Sequence, residues 1–154
     1  MRGILAVSFP ALLVALPLSA QSAQPTPALH WGPAPAVFPA GAKMAVVSGD
    51  PGKSGLFTIE LSMPAGYKIP PHFHPTAEHV EVKRGTFLVG MGDLLDLKAT
   101  KAMTVGDTGT IPALGHHFAA AKSPVVVAVT AKGPFGMTYV NPKDDPQRPK
   151  TGTR

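Results

Sequence analysis

The sequence contains no cysteine, so no disulfide staples the fold, and its stability has to come from an apolar core or from a bound ion. Charge is scarce too. Only 15% of the 154 residues are Asp, Glu, Lys or Arg, against 44% hydrophobic ones, which excludes a globally disordered chain and leaves enough apolar side chains for one domain with one core. Concentrated positive charge is also missing: Lys83-Arg84 is the only adjacent basic pair, and Arg148, Lys150 and Arg154 are spread along a polar tail. The formal charge of +5, of which Arg2 near the start supplies one, therefore reads as solvated surface charge, and a nucleic-acid partner is not expected. No phosphate-binding loop is present, and no serine stands in a recognisable nucleophile setting.

A membrane-spanning run is lacking as well. The apolar stretch from Ile4 to Leu18 is broken by Pro10 and Pro17 and falls short of the roughly 20 residues needed to cross a bilayer. With Met1-Arg2 before it and the small residues Ser19, Ala20, Ser22 and Ala23 after it, the stretch has the parts of a secretory signal peptide over 1–23. The expected mature protein is exported, periplasmic or secreted, and has no membrane partner once the signal is removed.

Proline (18) and glycine (16) are abundant by contrast, which favours many short strands joined by turns over long helices. Prolines at 25, 27, 33 and 35 make 24–35 an extended arm, and His30-Trp31 within it is a candidate for docking on the domain. Beyond the arm, strand-like segments recur at Met44–Ser48, Leu56–Met63, Glu78–Lys83, Thr86–Met91, Gly109–Ile111, His117–Ala121, Val125–Ala131 and Met137–Val140. Asp50-Pro51-Gly52, Pro64-Ala65-Gly66, Arg84-Gly85 and Gly133-Pro134 punctuate them as turns. Such a series predicts an all-β sandwich or barrel. The spacing of Leu94, Leu95, Leu97 and Met103 fits neither helix nor strand, so Asp93–Met103 is expected as a brief helical turn or an irregular excursion.

Five of the six histidines fall in two windows, Pro71–His79 and His116-His117. On an extended segment His72 and His74 leave the same face, and Glu78 shares their parity. A third histidine from the distant window would complete three nitrogens and one oxygen, donors suited to Fe, Mn, Ni, Co, Cu or Zn rather than to Ca or Mg. If these groups share an interior without a cation, each neutral one costs about 1–3 kcal/mol and the carboxylate more. From spacing alone, a solvated strand face remains the alternative. By the same parity His79 and Glu81 point away from this face. The aromatic and sulfur side chains Tyr67, Phe73, Phe87, Met91, Phe118, Phe135, Met137 and Tyr139 read either as ordinary core or as an apolar pocket suited to a hydrophobic small molecule.

The run Gly66, five residues, His72-Phe73-His74, three residues, Glu78, six residues, Gly85 resembles the first motif of the cupin superfamily at every fixed position. The second motif is similar through Gly106, Pro112 and His117, but Leu114 stands where a glycine is usual, with Gly115 one residue late, and Ala121 stands where an asparagine is usual. The resemblance spans Ala36–Val140 and implies a double-stranded β-helix, or jelly-roll, barrel, with a cupin domain over 36–141 and a polar C-terminal tail over 142–154. It implies one divalent transition metal held by His72, His74, Glu78 and His117. His116, the competing histidine, would face the opposite way, beside Phe118. The family includes dioxygenases, isomerases, decarboxylases and non-catalytic binders, so the fold does not select the reaction. The expectation is a small metalloenzyme acting on a small organic molecule, with dioxygenase-like oxidative cleavage of an enol or phenol-like substrate first and metal-assisted hydrolysis or isomerisation next. The alternative is a non-catalytic, metal-dependent module that binds or senses a small ligand. A homodimer is compatible with either.

Overall fold

The computed structural model describes residues 28–148, so the signal peptide expected over 1–23, the start of the arm and the end of the tail lie outside the described residues. Eleven strands form two antiparallel sheets: β1 (Gly32–Pro33), β2 (Lys43–Ser48), β3 (Gly55–Met63), β4 (Lys68–Phe73), β5 (Glu78–Arg84), β6 (Phe87–Met91), β7 (Lys101–Met103), β8 (Thr108–Ile111), β9 (His117–Ala121), β10 (Val125–Gly133) and β11 (Thr138–Tyr139). One sheet has the order β1-β2-β3-β10-β5-β8 and the other β11-β4-β9-β6-β7, the all-β jelly-roll arrangement expected from the sequence. The described residues contain no α-helix, and no helix among them is long and apolar enough to cross a membrane.

Strict alternation builds the barrel wall. Along β3, Phe57, Ile59, Leu61 and Met63 turn inward, and β10 answers with Val125, Val127, Val129 and Ala131 over a nine-residue register from Val125↔Met63 to Gly133↔Gly55. Each large side chain buried here contributes roughly 1.5–3 kcal/mol, so a charge at Val127 would break the wall. The outer face of the same pair is polar, and Thr58 and Thr130, directly opposed, hydrogen bond through their hydroxyls at 2.8 Å. β5 continues the pattern with Val80 and Val82 inward and His79, Glu81 and Lys83 outward, which leaves Glu78 on the inner face at the strand's first position.

Three strands lie where the sequence signals no strand. β4 carries Pro70-Pro71, a pair that argues against a central strand. It is accommodated because the pairing with β9 shifts register between Ile69 and His72, and the Pro71 carbonyl instead accepts from Val140 N–H at 2.9 Å. β7 is three residues long and follows a single 3-10 turn, Leu97–Ala99, capped by the Asp96 carboxylate. β1, within the proline-rich arm, pairs with β2 at Gly32↔Met44, while the neighbouring Trp31 stays exposed.

Candidate metal centre

His72 and His74 extend inward from the end of β4, Glu78 from the first position of β5, and His117 from the first position of β9. The pairing His72↔His117 joins β4 to β9, so two of the imidazoles are cross-strand neighbours with ring centroids 4.1 Å apart. All four side chains are buried, His117 at 2% exposure and Glu78, the most open, at 7%. One nitrogen from each of His72, His74 and His117 can be chosen so that all lie within 4.8 Å of one another.

Each ring is oriented by a backbone carbonyl. Nδ1 of His72 donates to Pro70 O at 2.7 Å, Nδ1 of His74 to Gly136 O at 2.7 Å and Nδ1 of His117 to Gly115 O at 2.9 Å. A carbonyl only accepts, so these bonds place the proton on Nδ1 and leave a lone pair on Nε2 of each neutral ring. Burial pushes the His72 imidazole well below its usual range, and repulsion from His117 and His74 adds to this against the pull of the Pro70 carbonyl. Burial lowers His74 as well, with Glu78 and the Gly136 carbonyl opposing. Both rings are therefore neutral at pH 7.

The Glu78 carboxylate faces these lone pairs, with Oε1 3.0 Å from His117 Nε2 and Oε2 3.6 Å from His74 Nε2. A carboxylate oxygen and an imidazole lone pair repel at this distance unless a proton or a cation lies between them. A proton shared by His117 and Glu78 would satisfy one contact only. A cation that accepts from the three nitrogens, with the Glu78 carboxylate beside two of them, satisfies both contacts, so the donor types fit a borderline divalent transition metal.

The remaining candidates lie elsewhere. His116 turns to the outer face, stacks on Phe73 at 5.0 Å and bonds Asp93 Oδ1 through Nδ1 at 2.6 Å. His79 contacts the Thr110 hydroxyl at 3.0 Å, and Glu81 pairs with Lys83 at 2.8 Å, both outside the barrel. Of the eight aromatic and sulfur side chains considered from the sequence, only Phe87 and Phe135 line the cavity of about 40 Å³ beside the four donors. Tyr67 and Tyr139 are buried but turn their hydroxyls to Pro39 O and Val37 O, and that burial raises both phenols, Tyr67 to about 12. Phe73 and Phe118 are on the outer face of their sheet, and Met91 is exposed. Sequence reasoning missed Phe38, which closes the cavity from the turn before β2. It also missed the three carbonyls that orient the rings, because a backbone acceptor leaves no mark in residue identity.

The second-motif departure at Leu114 has a conformational outcome. Leu114 takes the left-handed conformation itself, at φ 59°, and is the only non-glycine among the described residues with positive φ. Gly115 has an ordinary φ, and a Cβ there would press on Pro112 O at 3.0 Å.

Among solved structures, the chain is similar to the polyketide cyclase RemF from Streptomyces resistomycificus, with 20% identity, a TM-score of 0.56, and coverage of 68% of this chain and 75% of that one. It is similar to KdgF from Halomonas sp., with 21% identity, a TM-score of 0.52, and coverage of 67% and 86%. An RmlC-like cupin from Shewanella frigidimarina follows at 21% identity and a TM-score of 0.51, with coverage of 60% and 76%. The fold is that of the cupins. No family model and no curated protein matches the sequence, so these likenesses speak for the fold alone.

Proposed function

We propose that this cupin holds one divalent transition metal through His72, His74, Glu78 and His117, and acts outside the cytoplasm as a small metalloenzyme on a small organic molecule. The observation that carries the reading is the inward set of Nε2 lone pairs set against a buried carboxylate at 3.0 and 3.6 Å. A metal in this cluster supplies a Lewis acid and, if redox-active, electrons for chemistry with dioxygen. The chain's own residues orient the rings through Nδ1, place one carboxylate beside three imidazoles, and exclude bulk water with apolar walls.

Those walls bear on the reaction type. Of the residues lining the cavity, the four donors alone are titratable, so no separate side chain is at hand to serve as general acid or base. Oxidative cleavage of an enol or phenol-like substrate, driven by the ion, fits this better than hydrolysis or isomerisation, which need a proton carrier. The same observation favours, as second reading, a binding or sensing module without turnover. The export component rests on the charged start, apolar run and small residues of 1–23. Oxygen uptake and hydrolysis panels on protein purified with its native metal test the proposal. Substrate-dependent oxygen consumption supports the oxidative reading, hydrolysis without it reverses the order, and tight ligand binding with neither leaves the sensing module.

A further inference from the structure

Next to the cavity lies a second, larger space. An apolar pocket of about 220 Å³, rimmed by Pro35, Val37, Met44, Pro51 and Met137, shares three wall residues with the cavity of about 40 Å³ at the four donors: Phe38, Ile59 and Phe135. The inner cavity has room for roughly three waters, taking about 10–15 Å³ for each. It admits a compact polar group and cannot hold a ring. The outer pocket offers no charged or polar side chain at all, so a hydroxyl-rich or charged body placed there would lose its water without compensation.

We propose that the outer pocket seats the uncharged, apolar body of the ligand, while an oxygen-bearing head of a few atoms occupies the inner cavity. The ligand class is an aryl or short alkyl group carrying an enol, phenol or carboxylate end. This inference rests on the metal-centre reading above and names the substrate class for it.

The three shared walls differ in how firmly they are held. Ile59 sits in the middle of β3, paired with β2 on one side and β10 on the other. Phe38 is flanked by two anchors, since Tyr139 donates to Val37 O at 2.7 Å and Tyr67 donates to Pro39 O. Phe135 lies between β10 and β11, where its backbone N–H donates to Pro51 O at 2.7 Å, and its ring rests on His74 at 4.5 Å and edge-on to Phe57 at 5.3 Å. Rotation of the Phe135 ring would join the two spaces. Met44 and Met137 on the rim are unbranched and adjust readily to the shape of an apolar guest.

The test uses the metal-loaded full-length protein and two probes with the same oxygen-donor head, acetohydroxamate and benzohydroxamate, measured by isothermal titration calorimetry. A phenyl group buried in the outer pocket should make benzohydroxamate bind at least about tenfold tighter, after allowance for the cost of ordering it. Met137→Trp fills the pocket from its rim and should cut that ratio to near unity while keeping the acetohydroxamate affinity. Val37→Trp does the same from the opposite segment, should the first variant fold poorly. Equal affinities in the wild type, or a preference unchanged in both variants, would overturn the proposal. Metal content of the same samples separates the two claims: metal-loaded protein without the preference removes the outer pocket alone, and protein that holds no metal removes both.

Discussion

Leu114 provides a stability test whose sign is opposite to the usual one. At most positions, replacing alanine by glycine destabilises by about 0.5–1 kcal/mol, because the glycine chain has more freedom to lose. At φ 59° any side chain with a Cβ costs roughly 1–2 kcal/mol, and glycine does not bear that cost. Subtracting the glycine entropy term of about 0.4–1 kcal/mol leaves Leu114→Gly more stable than Leu114→Ala by roughly 0.5–1 kcal/mol. For a domain of this size that is about 2–5 °C in Tm. Leu114 is 63% exposed, so the packing given up on leaving leucine is modest, and Leu114→Gly should lie close to the wild type. The turn also matters to the site, since Leu114 N–H donates to His74 O at 2.9 Å and Gly115 N–H to Pro112 O at 3.0 Å. Both variants keep these bonds and should keep their metal content. Thermal unfolding of the three proteins, followed by circular dichroism, decides the matter. If Leu114→Ala proves the more stable of the two variants, the left-handed strain argued for this turn does not exist.

Three further predictions follow from other parts of the molecule. In the metal-free protein His72 and His74 are held below the ordinary value of 6.5, so the unfolded chain binds more protons in the window beneath it. Their contribution to stability is complete above pH 6.5 and is lost as pH falls through that window; urea midpoints of the apo protein should drop between pH 7 and pH 5, less so in His72→Ala, and a flat profile would contradict the burial argument. Gly90 lies under the Phe118 ring, where a Cβ would come within 2.1 Å of Cζ, so Gly90→Val should destabilise by about 1–3 kcal/mol in chemical denaturation and Gly90→Val/Phe118→Ala should recover part of that loss. Protein recovered from its native host should begin between Gln21 and Gln24 by terminal mass analysis, and an intact Met1 would remove the export reading.

Much of the barrel was legible because period-two burial is written plainly in β3, β5 and β10. What stayed hidden had conflicting local signals. Pro70-Pro71 masks β4 even though a register shift makes room for both rings, and three residues are too few for β7 to show a period. Parity also sorts the site residues, although in two separate stretches: His72 and His74 turn inward at the end of β4, and after a bend at Pro75-Thr76 the alternation of β5 sends Glu78 inward and His79 and Glu81 outward. It was the aromatic residues that could not be sorted this way. Phe73 and Phe118 look like pocket candidates by type but sit on outward positions of β4 and β9, while Phe38 reaches the cavity from a turn. Phe38 is held in place through neighbours bonded to Tyr67 and Tyr139, 28 and 102 residues from their acceptors, and no local pattern announces contacts of that range.

The central claim is that His72, His74, Glu78 and His117 share one ion, and metal stoichiometry on folded variants tests it most directly. Protein purified without chelator and analysed by plasma mass spectrometry should carry one transition metal per chain. His72→Ala and His117→Ala should lose most of it, whereas His79→Ala and His116→Ala, whose side chains are on the outside, should retain it. Bound metal should also stabilise the fold at pH 7.5, by about 2.7 kcal/mol at a hundredfold excess over its dissociation constant, and far less at pH 5, where protons compete for the imidazoles. Equal metal content in His72→Ala and His79→Ala, both shown to be folded, would mean that the inward cluster is not a metal centre.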